Sequence, residues 1–424
     1  MTSEDLFIIL KVYFVSFGLQ LLGWPWVKKF FGKLPDKGWS LVRVLTSLLA
    51  ALVVWQLGYL GLPANTTQGV YALLALVLLS DIWLVIKNGM KAVSIPREIA
   101  KLVTIEEYLF LVGLGVMALI RAYAPSLDSL EKFMDFGFVN QYLQTANLPA
   151  SDMWQAGMAI NYYSFGHFWT SILIRIWGVE PAVGYNMMLA FIFGIGINLA
   201  FMASYLLVGR RNARASLVGG LIGAASVLLA GNSHVIWYMV KNGGLKDYWY
   251  ADATRFIHNT IHEFPGYSFV VSDLHGHLLD LPVVLLFLVV LFVWQKNRER
   301  IFEVIMGILF GVMMMTNTWD VAVYGLLLLV LGIQLIWNDS AEIKKIMKSA
   351  IVILTAMFVV AFPWWMKFQS ISNGVGVVQM RTPLWQLAVL WGGGLIVSMV
   401  AVITEGKKGD NKFLVRTLAV TAVL

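Results

Sequence analysis

Eleven apolar runs of 16 to 27 residues, joined by short basic stretches, govern what this chain can become. They lie near 6–23, 41–62, 68–87, 104–122, 182–208, 216–231, 278–294, 301–317, 320–337, 349–366 and 384–403. A helix needs about 20 such residues to cross the hydrocarbon core of a bilayer. Only helices and closed barrels satisfy their backbone polar groups there. The chain therefore reads as an all-α polytopic integral membrane protein, with about 12 spans once the apolar run 414–424 is included. Composition agrees: 59% of residues are hydrophobic and 13% charged, about half the charge of a soluble domain. The first run, Leu6 to Gly23, lacks a basic leader and a small-residue cleavage site, so it is expected to stay as a membrane helix. The run 414–424 is too short to cross, and further helices are expected after it. There is no cysteine, which removes disulfides, thiolate metal sites and a Cys nucleophile from consideration. The net charge of +7 reads as membrane topology and not as affinity for nucleic acid.

One segment decides the topology. Phe165 to Gly178 is apolar, but short, and it contains His167 and Arg175. If it does not cross, the loops 24–40, 88–103, 209–215, 295–300, 338–348 and 404–413 share a side and hold 19 Lys and Arg residues. The opposite side holds 7. If it does cross, the bias vanishes. The positive-inside rule therefore predicts that 165–178 lies in or dips into the outer interface, with the N-terminus outside; the plasma membrane is the expected location. Three parts follow: an N-terminal three-span segment (1–103), a module with two long outer loops (104–294), and a C-terminal helical segment (295–424). No internal repeat is evident.

The outer loops, 123–181 and 232–277, have 59 and 46 residues and are rich in Trp, Tyr and Phe. Loops of that length are usually functional or disordered, and aromatic richness argues against disorder. All six histidines fall in them: His167 in the first, and His234, His258, His262, His275 and His277 in the second. Charges inside spans are scarce; Lys11 and Asp81 stand out but form no relay.

Four constellations carry possible chemistry. Asp135, in Glu131-Lys132-Phe133-Met134-Asp135-Phe136, falls on a short helix for which Asp128-Ser129-Leu130-Glu131 offers a capping pattern. It is either a solvated acid or, at the edge of an apolar surface, a general base of raised pKa. In the second, Ser164, His167, Ser171 and Arg175 form one polar stripe on a helix. The stripe either faces water or binds an anionic head group such as a phosphate. In the third, Asp252 caps a helix that ends before Pro265, with Arg255, His258 and His262 on one face. Asp273-Leu274-His275-Gly276-His277 follows. Here His258, His262, His275 and His277 form a divalent metal site, or the histidines simply pack among aromatic rings. In the fourth, Asp320 follows a tight turn between two spans, where it caps a helix or reaches the same outer cavity.

These stretches resemble Chlor_Arch_YYY, a family of uncharacterised membrane proteins of archaea and Chloroflexi-type bacteria named for a tyrosine run. The matching pieces are Glu131 to Phe136, Asn161-Tyr162-Tyr163-Ser164-Phe165-Gly166-His167, then Asn259 with His262-Glu263-Phe264-Pro265, and Asp273 to His277. They span roughly residues 130 to 280. The third tyrosine is Ser164 here, and Gly276 stands where the family usually has Pro. The resemblance extends remotely to the GT-C glycosyltransferases, polytopic enzymes that use polyprenyl-phosphate-linked sugars at the outer membrane face. It implies a GT-C-like fold over 104–294, with Asp135 as the catalytic or acceptor-binding carboxylate, taking the proton from the acceptor hydroxyl. His167, Arg175 and Arg255 would hold the donor phosphate, and Tyr162, Tyr163, Glu263, Asp273 and Asp320 would line the outer cavity. The implied partners are a lipid-linked sugar, an acceptor and membrane lipids. The competing expectation is a non-enzymatic membrane protein, a transporter or an envelope-assembly scaffold. Polar residues crowd the outer surface instead of the midplane, which favours the enzyme over a transporter.

Overall fold

The computed structural model describes residues 2–129, 131–209, 212–370, 374 and 376–406. Among these there is no strand, and one isolated bridge pairs Ser151 with Ala159. The α-helices in chain order are α1 (Ser3–Phe31), α2 (Val42–Tyr59), α3 (Thr67–Asn88), α4 (Arg97–Tyr123), α5 (Lys132–Gln144), α6 (Phe165–Trp177), α7 (Pro181–Val208), α8 (Ala213–Leu229) and α9 (His234–Asn242). They continue with α10 (Pro265–Val271), α11 (Gly276–Asn297), α12 (Arg300–Thr316), α13 (Thr318–Asn338), α14 (Ile343–Trp365) and α15 (Leu384–Gly406).

Eight helical segments have the length and apolarity to cross a membrane: α1, Trp39–Tyr59 (containing α2), α3, α4, α7, α11, α13 and Ser340–Trp365 (containing α14). The pair α8 and α9, bent by 68°, makes a ninth if read as one broken span. The expected count of about 12 is not reached among the described residues. Helix α12 has 17 residues, which at 1.5 Å per residue is only about 26 Å. The apolar stretch of α15, Leu384–Val400, is equally short. The run 414–424 lies outside the described residues.

Local sequence explains where several helices start. Thr2 and Asp5 form a reciprocal capping box on α1. Pro181 occupies the first turn of α7, and Glu180 caps it by accepting from the backbone N–H groups of Ala182 and Val183. At α5 the expected Asp128 cap is absent. The side chain of Asp128 turns to Ser126 instead, and α5 begins after Glu131 without a side-chain cap.

The chain forms two compact units. The first comprises Met1–Leu228, Ser272–Thr318 and Ile351–Gln369. In it α4 and α7 cross closely because both present glycine at the contact. A Cβ on Gly113 would sit 3.0 Å from the Gly194 Cα, and one on Gly194 would strike Phe110. Small residues let membrane helices approach in this way. The crossing sets the C-terminal end of α4 beside the N-terminal end of α7, where the Arg121 Nε donates to the Asn186 Oδ1 at 2.7 Å. The α11 start is pressed onto the α12 end. A Cβ on Gly276 would lie 2.5 Å from the Thr316 carbonyl oxygen, so the residue between the two histidines has no room for a side chain in this packing.

Helix α6 lies inside this unit. In sequence its polar stripe suits water or an anionic head group; Ser164, His167 and Ser171 are instead buried. Thirteen residues span only about 20 Å, too short to cross the bilayer core. A helix that is apolar nearly all round is stable only when enclosed. Its polar groups bond internally. The Ser171 hydroxyl donates to the Phe168 carbonyl at 2.7 Å, and Ser164 Oγ lies 2.6 Å from the Tyr142 hydroxyl.

The second unit comprises Leu229–Val271, Trp319–Ala350 and Ser370–Leu424. The helix expected over 252–263 does not form. A 3-10 turn occupies Tyr250–Thr254, Asn259 takes φ 54, and Pro265 begins α10. Proline disfavours helix in the residue before it, and a left-handed residue interrupts the run, so Arg255, His258 and His262 do not share a helix face. In this unit His234 stacks on Phe256, with ring centroids 4.8 Å apart.

Candidate functional site

Helix α5 buries one face, made by Lys132, Asp135, Phe138, Val139 and Tyr142. The spacing follows the helical period, so one acid is carried inward with the apolar side chains. The Asp135 side chain is completely buried. Nε2 of His167, from α6, lies 2.9 Å from the Asp135 Oδ1. A carboxylate only accepts, so this imidazole nitrogen donates. Nδ1 of His275 lies 3.3 Å from the same oxygen. The other oxygen, Oδ2, is buried with no hydrogen-bond partner.

Of the two readings open for Asp135, a solvated acid or a base of raised pKa, neither holds as stated: the side chain is buried, and its pKa is lowered. Burial pushes the carboxyl up, but the hydrogen bonds and charges of His167 and His275 outweigh it and hold it below the ordinary value. For His275, burial works against the cation. The hydrogen bond and charge of Asp135, with the charges of Asp273 and Glu131, outweigh that and raise the imidazole pKa.

His275 is the hinge of the site. It precedes α11 as its N-cap residue. Its Nε2 lies 2.9 Å from the Tyr162 hydroxyl, and its Nδ1 lies 3.4 Å from the Glu131 Oε2. One ligand atom from each of Asp135, Asp273 and His275 gathers within 4.8 Å. Exposure rises outward, from 0% for the Asp135 side chain through 17% for His275 to 62% for Glu131. Burial therefore decreases from Asp135 through His275 to Glu131 at the surface.

Aromatic rings hold the wall. Tyr162 stacks on Phe138 at 5.2 Å and on Tyr163 at 4.1 Å, and Phe138 also meets the His167 ring at 5.4 Å. The Trp364 indole N–H donates to the Tyr162 carbonyl. Ser164, in place of a third tyrosine, bonds to Tyr142. Behind Asp273, Arg121 donates to Ser272 Oγ at 2.5 Å, and the backbone N–H of Leu274 donates to the Tyr185 hydroxyl. Lys132 is buried, and its ammonium reaches Ser129 Oγ at 3.1 Å. Burial and then the charge of Arg121 depress its pKa, against the attraction of Asp273.

The structure thus brings Asp135, His167, His275, Asp273 and Tyr162 together, with Tyr163 against Tyr162. Arg175 is engaged elsewhere. Its Nη2 donates to the carbonyls of Asn65, Tyr142 and Leu143, at 3.2, 3.3 and 2.8 Å. Arg255 pairs with Glu263 at 2.7 Å in the second unit. His262 sits there against Phe256, with its Nδ1 3.3 Å from the Thr260 Oγ1, and His258 is exposed. Asp320, also in the second unit, falls in the first turn of α13, where a carboxylate suits the helix dipole. Of the four histidines expected to hold a metal together, only His275 belongs to the cluster with Asp135 and Asp273. The rings of His275 and His277 lie 5.9 Å apart. Sequence reasoning did not single out Lys132, Arg121 and Tyr185. Arg121 alone carried a signal, as a charge at the end of a predicted span.

No curated protein and no solved structure matches the chain. The family described as "Uncharacterized membrane protein (DUF2298)" matches residues 49–424. That match takes in every residue of the Asp135 cluster, and the chain belongs to this family of uncharacterised membrane proteins.

Proposed function

We propose that the protein transfers a sugar from a polyprenyl-phosphate donor to an acceptor hydroxyl, at the outer face of the plasma membrane and with its N-terminus outside. The observation that carries this reading is Asp135: a fully buried carboxylate, one oxygen held by imidazoles and the other without a partner. Such an oxygen is suited to take a proton. In the proposed step the acceptor oxygen attacks the anomeric carbon as its proton passes to Asp135 Oδ2. The bond from that carbon to the phosphate oxygen breaks, and the polyprenyl phosphate leaves with the electron pair. His167 and His275 hold the carboxylate in place and keep it ionised. Lys132 replaces Arg175 and Arg255 as the cation for the leaving phosphate, since those two are engaged with carbonyls and with Glu263. Positioning and electrostatics supply the remaining acceleration.

The test is transfer from a panel of polyprenyl-phosphate sugars by the full-length protein. Asp135→Asn keeps size but removes the proton acceptor, and the expected loss is roughly 10²–10⁴-fold in rate. Turnover in that variant equal to wild type removes Asp135 from the catalytic role. No turnover with any donor, together with no binding of lipid phosphate, overturns the enzyme reading in favour of a scaffold.

A further inference from the structure

We infer that Asp135, Asp273 and His275, closed from the surface side by Glu131, form a binding site for one divalent transition-metal ion, with Mn²⁺ the best match. The inference goes beyond sugar transfer and stands on geometry whatever the reaction is. Two kinds of contact meet at Asp135 Oδ1. His167 Nε2 approaches to 2.9 Å, the length of a charge-assisted hydrogen bond, about 2.7–2.9 Å. His275 Nδ1 stays at 3.3 Å from that oxygen and 3.4 Å from the Glu131 Oε2. These are long for such bonds. They match the spacing of neighbouring ligands around one ion, since donors about 2.1 Å from a metal lie roughly 3.0–3.4 Å apart. The ligand atoms of Asp135, Asp273 and His275 all fall within 4.8 Å of one another.

A further observation points the same way. The outer partners are also those of a metal site. Tyr162 lies 2.9 Å from the far nitrogen of His275, and His167 donates to the ligating oxygen of Asp135. With the ion bound, Nε2–H would donate to the Tyr162 hydroxyl and Nδ1 would turn its lone pair to the ion in place of its hydrogen bond to Asp135, and a donor on a carboxylate fixes its orientation. Carboxylates alone suit Mg²⁺, Ca²⁺ and Mn²⁺, whereas imidazole selects the transition series. One imidazole among three carboxylates falls where the two sets overlap. The ion would use Asp135 Oδ1, leaving Oδ2 for a proton.

The experiment titrates Mn²⁺ into the full chain, purified in detergent and stripped with a chelator, and follows free Mn²⁺ by electron paramagnetic resonance. One ion per chain is expected. His275→Ala and Asp273→Asn should each weaken binding at least 10-fold. The conservative variant Tyr162→Phe, which keeps the ring stacking, should weaken it about 10–100-fold as outer-partner changes do. His258→Ala and His262→Ala should bind like wild type. Size-exclusion profile and tryptophan fluorescence verify that each variant is folded. A folded wild-type chain that takes up no stoichiometric Mn²⁺ or Zn²⁺ overturns the inference. So does undiminished binding in both His275→Ala and Tyr162→Phe, or loss of the ion only in His258→Ala or His262→Ala. Binding is measured without donor, so a failure of sugar transfer leaves this result standing. Transfer that persists in chelator would reject a metal requirement alone.

Discussion

Replacing His167 with Leu should destabilise the protein far more in the presence of Asp135 than in its absence. Both side chains are 0% exposed and their atoms meet at 2.9 Å, so the small values of surface ion pairs do not apply. Removing one partner of a buried pair leaves an uncompensated charge and costs about 3–5 kcal/mol. His275 remains, at 3.3 Å from the same oxygen, and places the expected cost near the lower end, about 3 kcal/mol. Asp135→Asn should cost about 1–3 kcal/mol, since a neutral amide still faces two imidazoles in a dry site. In the double variant no charge is stranded, so its loss should fall short of the sum of the two single losses by about 2 kcal/mol, roughly 30-fold in the unfolding equilibrium. Titration of detergent-solubilised protein with SDS, followed by tryptophan fluorescence, measures all four corners of the cycle. A His167→Leu cost below about 1 kcal/mol, or strict additivity, would refute a buried ionised Asp135 clasped by this histidine.

Two further outcomes are expected. Arg175→Ala should lower stability by about 1–3 kcal/mol by stranding the last carbonyls of α5, while the donor KM stays within about twofold; weaker donor binding at unchanged stability would restore its phosphate role. Single cysteines at Ser151 and Glu180, both exposed positions in a chain that has no cysteine, should both react with an impermeant maleimide from outside intact cells, and labelling from opposite sides would reject the proposed topology.

The apolar runs were enough to establish an all-helical membrane protein, because a bilayer admits few ways to satisfy a backbone and each run carries that constraint by itself. Asp135 was legible too, as the one acid on a short helix between spans. Its environment was not. Sequence allows a solvated acid or a base of raised pKa, whereas its burial and the sign of its shift depend on His167 and His275, which lie 32 and 140 residues away in the chain. The α6 stripe was similarly ambiguous. The same Ser164, His167, Ser171 and Arg175 pattern reads as facing water or an anionic head group, and only the helices packed around it decide that Ser164, His167 and Ser171 are enclosed. Histidine spacing misled for a related reason. His258, His262, His275 and His277 are close in sequence, but the left-handed Asn259 breaks the helix that would have aligned the first two. His275 instead meets Asp135 because α11 starts hard against the end of α12, at a glycine with no space for a Cβ. Periodicity and charge are properties of a segment and can be read along the chain; which acid meets which imidazole depends on how separate helices cross.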